Sequence, residues 1–128
     1  MTGTPLDGER YINLETFKKD GNGVKTPVWA AAQGGKLVVM TDGTSYKVKR
    51  LRNDPKIRAA GCDARGSVHG AWYEGTGKIL DEAGAARAEA TLLEKYGLQY
   101  RVLNFFSSIA GRKKRRAYLE ISIEGAVK

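Results

Sequence analysis

Tyr11-Ile12-Asn13-Leu14-Glu15-Thr16-Phe17 alternates apolar and polar side chains, the period of two that turns one face of a β-strand toward a core. It runs into Lys18-Lys19-Asp20-Gly21-Asn22-Gly23, whose Gly and Asn residues supply the positive φ of a tight hairpin turn. Residues 24–32 then read as the returning strand, and Gln33-Gly34-Gly35 as a second turn. Lys36-Leu37-Val38-Val39-Met40-Thr41 is apolar enough for a buried third strand. Three strands in sequence, joined by short turns, make a meander.

Beyond the meander, Asp42-Gly43-Thr44-Ser45 breaks the β pattern and offers helix-capping residues, so residues 46–53 read as a short helix stopped by Pro55. Two more strands are expected over 56–63 and 66–80, joined by Ala64-Arg65-Gly66, with the glycines of the second marking a bend or bulge. Residues 81–96 have an Asp-Glu start, an alanine-rich body and a Gly97 stop, with Ala86, Ala90, Leu93 and Tyr96 at helical spacing. A second helix is expected over 98–110, from Tyr100, Leu103, Phe106 and Ile109, and a closing strand over 117–124. The expected fold class is therefore mainly β: a six-stranded antiparallel barrel with inserted helices, since closure removes exposed strand edges. The Gly-rich fingerprint of parallel dinucleotide-binding folds is absent.

At 128 residues the chain suits one domain spanning 1–128, with residues 1–9 as a flexible terminus. Its 41% apolar content excludes a disordered chain. No stretch is long and apolar enough to cross a bilayer or direct export, and Cys62 is the only cysteine, so the cytoplasm is the expected compartment and no membrane is expected. His69 is the only histidine, which argues against a zinc cluster and reads as a surface or hydrogen-bonded residue; Cys62 reads as a small buried hydrophobe.

A net charge of +8 attracts anionic partners: nucleic acid, an acidic membrane surface or a phosphorylated small molecule. Much of it is concentrated, because Lys47, Lys49, Arg50, Arg52, Lys56 and Arg58 face only Asp54 within one short stretch, and Arg112 to Arg116 form a second cluster. The N-terminus of the 46–53 helix presents unpaired N–H groups, with Thr44 and Ser45 adding hydroxyls. Lys47 and Arg50, three residues apart, are placed to close on one phosphate, although short basic helices are more often simply solvated. Nucleic acid ranks last, because aromatics do not interleave with the basic residues as stacking platforms do.

Order and spacing sharpen this. Lys25-Thr26-Pro27-Val28-Trp29, then Leu37 to Thr41, then Tyr46 to Pro55, then Cys62-Asp63-Ala64-Arg65-Gly66 and Gly70 to Gly77 together resemble the F420-dependent branch of the pyridoxamine 5'-phosphate oxidase-like, FMN-binding split-barrel proteins. The resemblance runs over residues 10–124. It implies a homodimer with the cofactor in a groove between subunits and Lys47 and Arg50 on its phosphate, supported by Thr41 and Ser45. It also implies that Lys25, Thr26, Pro27, Val28 and Trp29 lie along the ring, bordered by Met40 and Thr41. Trp29 stands open between that role and a core position, and Trp72 reads as a barrel-core or dimer-interface aromatic. The implied activity is an F420-dependent oxidoreductase passing a hydride from reduced deazaflavin to a small, electron-poor substrate; the alternatives are an FMN-binding oxidoreductase of the same fold or a non-catalytic F420 carrier. The pattern assigns no catalytic side chain, leaving water or Tyr46 as the proton source; the Arg112 to Arg116 run reads as a solvated loop before the last strand, with reception of the acidic tail of F420 as the alternative the resemblance adds.

Overall fold

A computed structural model describes residues 4–43, 45–99, 101 and 116–127. Six strands and two helices follow in the order β1 (Tyr11–Phe17), β2 (Gly23–Gln33), β3 (Lys36–Asp42), α1 (Tyr46–Asn53), β4 (Lys56–Cys62), β5 (Val68–Ile79), α2 (Glu82–Tyr96) and β6 (Arg116–Ala126). The strands close into an antiparallel barrel in the order β1-β2-β3-β6-β5-β4. The helix expected over 98–110 lies largely outside the described residues, where Leu98, Gln99 and Arg101 are helical; residues 112–115 of the second basic cluster lie outside them altogether.

The two early turns form as their residues dictate. Gly21 takes φ +90° in the first, and Gly34 and Gly35 take +59° and +82° in the second, a left-handed pair that twists with its strands. Alternation then directs the barrel interior: Ile12 and Leu14 of β1, Ala30 of β2, Leu37 and Val39 of β3, Ile57 and Ala59 of β4 and Leu119 and Ile121 of β6 are fully buried in one cluster. The β5–β6 register shifts at Glu74/Gly75, where a Cβ on Gly75 would fall 1.9 Å from the Ser122 carbonyl oxygen. Only glycine lets the two backbones approach there.

Of the residues 1–9 expected as a flexible terminus, 4–9 are described. Leu6 is 3% exposed and joins the interior cluster, so burial of its side chain holds residues 4–9 against the barrel.

Each helix covers a different part of the barrel. Helix α1 begins at Ser45 and ends where Asp54, preceding Pro55, is forced to extended backbone (φ −147°, ψ 111°). Val48 and Leu51 form its buried face, and Leu51 enters the interior cluster over Gly77, where a Cβ would lie 3.0 Å from Leu51 Cδ2. Helix α2 is capped by the Asp81 carboxylate, which accepts the Gly84 N–H at 2.8 Å, and ends at Gly97 with φ +54°. Its buried face is Gly84, Ala88, Leu92 and Tyr96, which keeps Tyr96 of the expected stripe but not Ala86, Ala90 and Leu93. Ala86 and Ala90 are exposed, and Leu93 is half-buried. In so alanine-rich a helix several faces are equally apolar, and packing against Ala31, Val38 and Tyr118 on the outer barrel wall selects among them.

Candidate functional site

Trp29 is the centre of the outer wall. The β1–β2 register sets Tyr11 opposite Trp29, and the β2–β3 register sets Ala30 opposite Val39, which brings Trp29 beside Met40. The Tyr96 ring stacks on Trp29 with centroids 4.6 Å apart and planes 14° apart. Tyr96 is itself fixed: its hydroxyl accepts the Ala30 N–H at 3.0 Å and lies 2.7 Å from the Ala30 carbonyl, with the Arg10 carbonyl also in reach of its proton. Lys95 Nζ donates to the carbonyls of Ala30 (2.7 Å) and Glu9 (2.5 Å). Burial pushes the Tyr96 phenol up to about 12 and draws the Lys95 ammonium below its ordinary value, with nearby Arg10 adding to the latter. The indole plane is thus held from behind by a closed set of polar contacts.

In front of it is a cavity of about 350 Å³ lined by Tyr11, Pro27, Val28, Trp29, Met40, Thr41, Lys47 and Ala64. That volume is at the lower end of the roughly 300–1,000 Å³ usual for small-molecule sites. One side is flat and apolar. Lys47 comes from the first turn of α1, which carries no acidic residue, so its ammonium and the helix N-terminus together place positive charge there. Two nearby hydroxyls, Ser45 Oγ at the start of α1 and Thr26 Oγ1 on β2, are buried with no hydrogen-bond partner among the described residues. An aromatic wall and a cation fit a flat ring that carries an anionic tail.

Of the ten residues expected from the sequence, Pro27, Val28, Trp29, Met40, Thr41 and Lys47 line this one cavity. Thr26 and Ser45 lie beside it in sequence without lining it, and Lys25 is exposed, its Nζ 5.0 Å above the half-buried Trp72 ring. Arg50 is elsewhere. Positions three apart are offset by about 60° around a helix, and Arg50 leans the other way, where its Nε donates to Thr16 Oγ1 at 2.6 Å. It lines a separate cavity with Tyr46, which is 72% exposed. Tyr11 and Ala64 were not foreseen; the β1–β2 register brings in Tyr11, and Ala64 sits in the Cys62 to Gly66 turn.

The remaining reactive groups stand apart. Cys62 is buried, and burial pushes its thiol up, with Asp63 and Glu9 adding to the shift, which suppresses the thiolate. The exposed His69 pairs with Glu9 at 2.7 Å. Among the described residues no group of three or more His, Cys, Asp or Glu is placed to hold a metal ion, and no helix is long and apolar enough to cross a membrane.

No family model and no curated protein matches the sequence. Solved structures do match its fold. A putative pyridoxamine 5'-phosphate oxidase from Listeria innocua superposes with TM-score 0.65 at 12% identity, covering 95% of this chain and 90% of that one. The fold is the split barrel of that protein. A FAD-binding protein from Mesorhizobium loti superposes with TM-score 0.64 at 16% identity over 94% of this chain and 86% of that one. An F420 reductase gives 0.59 at 15% identity over 95% and 92%. At these identities the likeness is one of fold.

Proposed function

We propose that this split barrel is an oxidoreductase that binds a flavin-type cofactor in the Trp29–Lys47 cavity, and that the cofactor is the deazaflavin F420. The observation that carries the reading is the cavity itself, where Trp29, Pro27, Met40 and Lys47 line one open groove. Split barrels of matching architecture include a FAD-binding protein and an F420 reductase, which supports the cofactor class.

In this reading Lys47 and the first N–H groups of α1 take the phosphate, with Ser45 Oγ as an added donor. Trp29, backed by Tyr96, holds the ring plane, and the 26–28 backbone pairs with its polar edge. Thr41 and Met40 close the opposite border. Bound there in its reduced form, F420 would supply a hydride to an electron-poor substrate. The side chains orient both, and solvent is the proton source, because Tyr46 opens onto the other cavity. The reading includes a homodimer with the cofactor between subunits, which light scattering on the purified protein tests by its mass.

Titration with F420 and separately with FMN, followed by absorbance, tests the cofactor. Saturable binding of F420 at micromolar concentration, with weaker FMN binding, is the expected result; binding of neither removes the proposal. Oxidation of the reduced cofactor across a panel of electron-poor acceptors separates an enzyme from a carrier, which binds F420 without turnover.

A further inference from the structure

We propose that the cavity on the opposite side of α1 is a second binding site, for a small organic anion carrying two or more carboxylate or phosphate groups on a flat ring. This cavity, about 300 Å³, lies between the β1–β2 turn and α1 and is lined by Phe17, Lys18, Lys19, Tyr46, Lys49, Arg50 and Asn53. Four of these are cations, and none has a carboxylate within salt-bridge distance among the described residues. The two nearest acids in sequence serve their own turns: Asp20 Oδ1 accepts the Asn22 N–H and Asp54 Oδ1 accepts the Lys56 N–H.

Behind the wall, Lys56 Nζ and the Arg58 guanidinium lie 5.3 and 5.7 Å from the Phe17 ring centroid, with Glu15 and Glu74 as the cross-strand partners of Arg58, and the lining Lys49 has its Nζ 5.4 Å from the centroid of Tyr46. Cation–π contact steadies each of them but leaves its charge in place. Like charges collected around a concave surface repel one another until an anion enters.

Arg50 shows that the site is built. Its Nε is held at 2.6 Å by the hydroxyl of Thr16, a residue with no exposed surface, so the guanidinium fork is fixed before any ligand arrives. Its terminal amino groups have no acceptor among the described residues, and such a fork fits a carboxylate or phosphate in a bidentate manner. Phe17 and Tyr46 supply apolar surface for a ring, which sets this ligand apart from inorganic anions. The cavity's size, about 300 Å³, suits one small molecule, whereas a nucleic-acid strand needs a track that continues along its backbone.

The test uses the whole protein, without F420, so its outcome is independent of the cofactor reading. Trimesate, a benzene ring bearing three carboxylates, is titrated by calorimetry at low ionic strength. Saturable binding to one site per chain is expected, weakened at least about fivefold by Lys49→Ala and by Arg50→Gln. Arg52→Ala, which removes an equal charge from the same helix outside the cavity, should change it by no more than about twofold. Lys47→Ala should do likewise. Absence of saturable binding overturns the proposal, as does equal weakening by Arg52→Ala, which would mean diffuse attraction. A large loss in Lys47→Ala would place the anion in the other cavity and overturn it too. So would a single-stranded oligonucleotide that outcompetes trimesate and depends on all of these cations alike.

Discussion

Helices α1 and α2 are used in opposite ways. Helix α2 lies on the outer wall through Leu92, Ala88 and Tyr96 and is tied to β2 by the Tyr96 hydroxyl and the Lys95 ammonium. Helix α1 buries only Val48 and Leu51 and turns cations to either side: Lys47 into one cavity, Lys49 and Arg50 into another. A helix that gives its side chains to packing adds stability; one that withholds them from packing has charge to offer a ligand. Tyr96 links the two, because the wall it stiffens is the one Lys47 faces.

If that division is correct, substitutions on the two helices should separate stability from binding. Leu92→Ala has the largest expected effect, a loss of about 2–5 kcal/mol in urea unfolding, because the space vacated under α2 has rigid walls. Lys47→Ala should instead leave unfolding nearly unchanged while weakening F420 binding by about 1.5–3 kcal/mol, the range for a hydrogen bond to a charged group. An unfolding midpoint that drops as far in Lys47→Ala as in Leu92→Ala would break the comparison.

Alkaline pH sharpens it further. The Tyr96 phenol titrates near 10.0 when unfolded and at about 12 in the fold, so the folded state keeps its proton longer. That contribution is complete below pH 10 and is lost as pH rises toward 12, by about 3 kcal/mol in all. Lys95 acts in the opposite sense: its lowered value makes the fold gain stability as pH rises toward the ammonium's ordinary 10.5. Subtracting the unfolding profile of Tyr96→Phe isolates the phenol, and a difference that stays constant from pH 9 to 12 would contradict its role. Arg52→Ala, on the exposed side of α1, should move stability by no more than about 0.5 kcal/mol.

The elements were legible in the sequence because each carries its own local signal. Gly34-Gly35 marks a hairpin, Pro55 ends α1, and Asp81 and Gly97 bracket α2. What stayed hidden depends on partners distant in the chain. The direction of Arg50 is decided by Thr16, 34 residues away, and the buried face of α2 by the wall it meets. The Val28–Trp29, Met40–Thr41 and Lys47 part of the cavity was readable as a set of ordered motifs, whereas Tyr11 arrives only through strand register. Gly75 was visible as a glycine in a strand, but its contact with the Ser122 carbonyl is a property of the closed barrel.

The central claim is that F420 lies against Trp29, and the chain's two tryptophans allow it to be read directly. In Trp72→Phe, Trp29 is the sole source of indole fluorescence. Titration with F420 should quench that emission saturably, with the same midpoint as the cofactor's own absorbance change. Saturable binding by absorbance that leaves Trp29 emission unchanged, beyond the inner-filter correction, would place the cofactor elsewhere and contradict the account.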